Sequence, residues 1–267
     1  MDRTLDQVEA GIVPLPTVRR VAANRPLAWL RLGWADLRRA AAPSLGFGAC
    51  VAAFGVVLLL FAWRATYLAP ALVGGFLLVA PFLATVLYAL SRQIERGETV
   101  DAAAALRSLR HNANSLALFG LLLVLALILW ERMSAIIFAL FYGGQVARVE
   151  TLVTDILFSG RYTTLLLAYF GLGGVLAAAV FTLGVVSAPL LLDRDADVIT
   201  AVITSVRCCV QNPAAMFIWA ASIAVLTCVG FATYMIGLVV IFPLIGHATW
   251  HAYRELVAPD ATGTSRP

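Results

Sequence analysis

Residues 214–253 form a stretch of 40 residues without one Asp, Glu, Lys or Arg. As a single helix it would be about 60 Å long, roughly twice the hydrocarbon thickness of a bilayer. One crossing cannot use that length, so the stretch reads as a helical hairpin that turns near residues 230–233. Four further runs are long and apolar enough to cross once each: residues 44–63, 67–90, 113–133 and 165–192. The expected fold class is therefore all-α and polytopic, with six transmembrane helices, the last two at 214–231 and 233–253. The membrane domain covers residues 18–257, between flexible tails at 1–17 and 258–267.

Composition supports this. The chain is 61% hydrophobic and 13% charged, where a soluble domain is about half apolar and a quarter charged. The first 25 residues hold no apolar core of a signal peptide, so the first span is expected to act as its own insertion signal. All 19 basic residues are Arg. Fifteen of them fall on one side of the expected topology and four on the other. By the positive-inside bias, both termini are cytoplasmic and the chain is expected in a bacterial inner membrane. A net charge of +4 reads as orientation in the membrane and not as nucleic-acid binding.

The third span carries Glu131 and Arg132 beside Trp130, which places that pair at the far interface. Residues 149–158 show a helical stripe of Val149, Leu152, Val153, Ile156 and Leu157, expected to lie flat on the membrane.

The spans read as three pseudo-repeats, each a cytoplasmic amphipathic helix followed by a membrane hairpin. Gly75, Pro81, Tyr88 and Arg92 recur with identical spacing as Gly237, Pro243, Trp250 and Arg254. The middle copy keeps Gly184 and Pro189. Arg107 and Asn112 recur as Arg207 and Asn212, and Pro43 matches Pro213. Pro81, Pro189 and Pro243 are expected to kink the second helix of each hairpin, with Gly allowing close packing.

Few residues suggest chemistry. His247 and His251 share one helix face and are the low-ranked candidates for a metal or haem; with His111 the chain has three histidines. A structural zinc takes four ligands and a catalytic one three. The competing reading makes this helix end an interface, with Trp250, Tyr253 and Arg254 as anchors. "DRDAD" at 193–197 spaces three carboxylates like the start of a calcium loop. Val198 stands where that loop needs Gly, and Thr204 where it needs Glu. Asp195 or Asp197 is instead expected to cap the next helix. The cysteines, Cys50, Cys208, Cys209 and Cys228, form no chelating motif. Residues 29–39, with Trp29, Trp34, Arg31, Arg38 and Arg39, read as a helix on the cytoplasmic leaflet.

The stretches "NRPLAWLRLGWADLRRAAAPSLGFG", "PLLLDRDADVITAVITSVRCCVQNPAAMFIWA" and "VVIFPLIGHATWHAYREL" resemble an uncharacterised family of proteobacterial integral inner-membrane proteins, a domain of unknown function whose members are sometimes labelled cytochrome c oxidase subunit I-like. The resemblance runs over about residues 18–257 and implies location and topology. A haem–copper oxidase centre needs six histidine ligands, more than this chain holds. The leading functional expectation is a non-catalytic scaffold, assembly or accessory subunit. It would have no cofactor, with membrane lipids and a membrane-protein partner around it, a respiratory complex being the first candidate. The alternative is a permease or lipid-handling protein with a cavity between the three prolines. A haem or metal protein using His247 and His251 ranks third.

Overall fold

The computed structural model describes residues 15–64, 69–142, 160 and 162–259. The stripe at 149–158 lies outside the described residues. Within them the chain is helical, with one isolated bridge between Val18 and Val257. Three short helices each precede a pair of longer helical segments. First come α1 (Arg25–Arg39), α2 (Ala41–Arg64), α3 (Ala69–Leu83) and α4 (Thr85–Glu95). Then follow α5 (Ala102–Ser108), α6 (Ala113–Tyr142), α7 (Thr163–Gly184) and α8 (Ser187–Asp193). The last set is α9 (Val198–Gln211), α10 (Pro213–Ala232) and α11 (Leu238–Leu256).

Among the described residues, five helical stretches are long and apolar enough to cross a membrane: Ala41–Phe61, Leu72–Glu95, Ala113–Phe141, Thr163–Asp193 and Pro213–Ala232. Helix α11, expected as the sixth span, does not join them on composition. Its first eight residues are apolar apart from the constraint of Pro243, while its last eleven carry His247, His251, Arg254 and Glu255. The turn before it falls at Thr233–Gly237, a few residues later than expected, with Tyr234 and Met235 at positive φ. The third span, expected to end near residue 133, lies within a longer helix. Helix α6 runs on to Tyr142, and the Glu131–Arg132 ion pair (3.3 Å) sits on its outer surface.

Helix α11 is the centre of the molecule. It packs most extensively on α1, then on α2 and α4, and also touches α8 and α10. This requires close backbone approach at two glycines. A Cβ on Gly33 would lie 2.6 Å from the Ala248 backbone nitrogen. A Cβ on Gly48 would collide with the Val239 carbonyl, which Pro243 leaves without its helical donor. Gly48 therefore seats α2 against the one turn of α11 that proline has opened.

The other two prolines sit beside breaks. Helix α3 ends two residues after Pro81. The break between α7 and α8 at Val185–Val186 falls just ahead of Pro189, and Ser205 of α9 repairs it. The serine hydroxyl donates to the Thr182 carbonyl (2.7 Å) and accepts from the Val186 N–H (3.2 Å). Such repair is what a proline-broken helix needs where water is scarce. Helix α11 continues through Pro243 uninterrupted.

Substituting Gly33→Ala or Gly48→Ala is expected to lower unfolding stability in mild detergent by about 1–3 kcal/mol, the range for overpacking. Gly46→Ala, where a Cβ meets nothing within 4 Å, should leave stability unchanged or slightly raised. Equal effects at all three positions would contradict the packing role.

Candidate functional site

The polar residues converge at one end of the bundle, where α1, α4, α8 and the last half of α11 meet. The inward face of α1 carries Trp29, Gly33, Asp36 and Leu37, spaced at helical period. That face delivers the Asp36 carboxylate into the interior, where it is only 4% exposed. An isolated carboxylate there would be costly. It is met by the Ser91 hydroxyl (2.8 Å) and by His251 Nε2 (2.8 Å).

From Ser91 the chain of hydrogen bonds continues to His247 Nδ1 (2.7 Å), and His247 Nε2 reaches the Ser44 hydroxyl (2.9 Å). Proton counting fixes the roles. Ser91 has one proton, which goes to Asp36, so its oxygen accepts from His247 Nδ1–H. Nε2 then accepts from the Ser44 hydroxyl. The sequence Ser44–His247–Ser91–Asp36–His251 leaves no member without a partner.

Around this core lies a ring of charges. Glu95 and Asp193 end α4 and α8, where the helix dipole disfavours an acid. Arg254 lies between them. It bonds Glu95 through Nε and a terminal nitrogen (both 2.9 Å) and approaches Asp193 at 3.4 Å. The Trp250 indole donates to Glu95 (2.9 Å) and the Tyr253 hydroxyl to Asp193 (2.7 Å). Trp29 donates to Glu255 (2.6 Å), which also pairs with Arg25 (2.6 Å).

Side-chain amides hold the segments that lead into the short helices. Asn212 accepts from the Val21 N–H (2.8 Å) and donates to the Arg19 carbonyl (3.0 Å). Gln93 exchanges two bonds with the Asp101 backbone (3.0 and 3.1 Å). Asn112 donates to the carbonyls of Leu191 (3.1 Å) and Ala196 (2.9 Å). The segment before α1 also pairs with the end of α11 through the Arg19 N–H and Leu256 carbonyl (2.8 Å).

The residues singled out in the sequence are thus placed as follows. His247 is fully buried and His251 partly so, four apart on one face of α11. Trp250 and Tyr253 are about 1% exposed, with their polar atoms on carboxylates of other helices. Asp197 caps α9. It accepts from the Thr200 N–H (2.9 Å) and hydroxyl (2.7 Å), and these bonds hold its carboxyl below the usual range. Burial pushes the Cys208 thiol up to about 12 and Cys209 to about 11, which disfavours the reactive thiolate. Among the described residues, no three His, Cys, Asp or Glu side chains are grouped to hold a metal ion. Sequence reasoning missed Asp36, Ser44 and Ser91. Asp36 carried a signal, as the one acid on the Trp29–Gly33–Leu37 face of an arginine-rich helix.

A hydroxyl, an imidazole and an acid in series can activate a nucleophile. Here Ser44 and His247 are both fully buried, so a substrate reaches neither without displacing α1 or α2. The arrangement as it stands ties helices together.

Residues 68–193 match the family model described as "Predicted integral membrane protein (DUF2189)", just under half of the chain. This is an integral membrane protein. The matched range runs from α3 to the end of α8 and contains Ser91, Glu95 and Asp193, while Asp36, Ser44 and His247 lie outside it. The resemblance read over residues 18–257 is thus matched over its middle. No curated protein and no solved structure matches the chain.

Replacing Ser91 by Ala strands a buried N–H of His247 and takes one donor from Asp36. It should cost about 2–3 kcal/mol of unfolding free energy, more than the roughly 1 kcal/mol for Ser44→Ala. Denaturant titration in detergent checks the order; Ser91→Ala without loss of stability would contradict the network.

Proposed function

We propose that this protein is a non-catalytic scaffold or accessory subunit of a bacterial inner membrane, crossing it six times with both ends in the cytoplasm. The observation that carries this reading is the closed hydrogen-bond chain at the arginine-rich end. Both ring nitrogens of His247 are taken by hydroxyls, and the acids Asp36, Glu95, Asp193 and Glu255 are each met by donors of other helices. Groups spent on one another hold a surface in shape. They are poorly placed to bind a metal, haem or substrate, which would have to break these bonds first.

Three features support a build from three related units. Each unit is a short helix followed by two longer segments. The second segment of each packs on the short helix of the next: α4 on α5, α8 on α9, and α11 back on α1. Each link into a short helix is held by a side-chain amide, Gln93, Asn112 or Asn212. In this reading α11 is the sixth crossing. Its polar half is shielded by neighbours, so it needs less apolar surface than a lipid-facing span.

Two measurements test the proposal. Reporter fusions at both termini should give cytoplasmic signals; a periplasmic signal at either end would overturn the topology. Purification from native membranes in mild detergent should yield a stable protein partner and a colourless isolated chain. A haem band or stoichiometric metal that is lost in His251→Ala would contradict the scaffold reading.

A further inference from the structure

The inner face of α1 is fixed by Trp29, Gly33 and Asp36, so its outer face has a set direction. Leu27, Arg31, Trp34 and Arg38 follow one another there at steps of four, three and four residues, which is one helical strip. Leu27, Leu30, Arg31 and Trp34 line a groove of about 410 Å³ with Leu244 of α11. Trp34 is 44% exposed and Leu27 58%. Arg31, Arg38 and Arg39 form no ion pair with a carboxylate among the described residues. Leu244 is the last residue but one of the apolar half of α11, and the polar half begins two residues on. The groove therefore lies where apolar surface gives way to the arginine-rich end.

We infer that this groove is a binding site for an anionic glycerophospholipid. The inference rests on the chain's being a membrane protein and is independent of any scaffold role. The division of chemistry fits such a lipid at both of its ends. An acyl chain covers Leu27, Leu30 and Leu244. The phosphate lies against Arg31 and Arg38, whose guanidinium forks match its oxygens. The Trp34 ring sits at the level of the headgroup, where aromatic side chains are enriched. Arg31 and Arg38, without a carboxylate partner among the described residues, supply the charge that selects an anionic over a zwitterionic headgroup.

The test uses the full-length protein, delipidated in mild detergent and titrated with phosphatidylglycerol or phosphatidylcholine, with bound lipid counted by native mass spectrometry. Phosphatidylglycerol should bind in preference and raise the melting temperature. The double variant Arg31→Gln/Arg38→Gln should lose roughly 30-fold in affinity, at about fivefold for each arginine near a membrane surface. The double variant Arg19→Gln/Arg20→Gln removes equal charge elsewhere and should bind as the wild type does. Because Arg31 and Arg38 are exposed, an unchanged melting temperature without lipid shows that the first variant is folded. Equal loss in both variants, no preference between the two lipids, or displacement of the lipid by equimolar inorganic phosphate would overturn the site.

Discussion

One buried carboxylate sets the terms for the rest of the molecule. Asp36 enters the interior from a helix that otherwise presents arginines outward. A charge in that position is tolerable only with donors on both sides. Ser91 brings α4 to it and His251 brings α11, and through His247 the same chain reaches Ser44 at the head of α2. Three helices from the first part of the chain and α11 from its last part are therefore held in register by five side chains. The glycine contacts at Gly33 and Gly48 follow from the same demand. Bonds of 2.7–2.9 Å between side chains require backbones that approach closely.

The two halves of the bundle do different work. Away from the polar end, α6, α7 and α10 expose Leu125, Ile128, Phe170, Val225 and Val229, surface suited to lipid tails. At the polar end the large side chains Trp29, Trp219, Trp250 and Tyr253 are fully buried. The buried aromatic rings and the inter-helix hydrogen bonds are thus concentrated at the same end of the bundle.

The spans were legible because length and apolarity alone decide them, and five of the expected six recur on composition. The sixth shows the limit. His247, Trp250, His251 and Tyr253 read as an interface because a polar helix end in a membrane sequence usually faces water or headgroups. Here that end is buried by α1, and only three-dimensional closure, with partners more than 150 residues away, shows it. The histidine pair was rightly placed on one helix face, but the residues that occupy it could not be found by spacing. The shared spacing of Arg107–Asn112 and Arg207–Asn212 picked out two asparagines whose amides clasp the segments leading into α9 and α1. The third clasp was invisible, because Gln93 supplies it from a different helix.

The central claim is that the polar end exists to hold helices together. It is tested most directly by a double-mutant cycle on Asp36 and His251, with unfolding free energies measured for Asp36→Ala, His251→Ala and the pair. A structural clamp predicts that each single change destabilises and that the two are coupled by about 1.5–3 kcal/mol, the range for hydrogen bonds to charged groups. Coupling near zero, or a protein made more stable by losing these side chains, as happens where polar groups are held for function at a cost to stability, would contradict it.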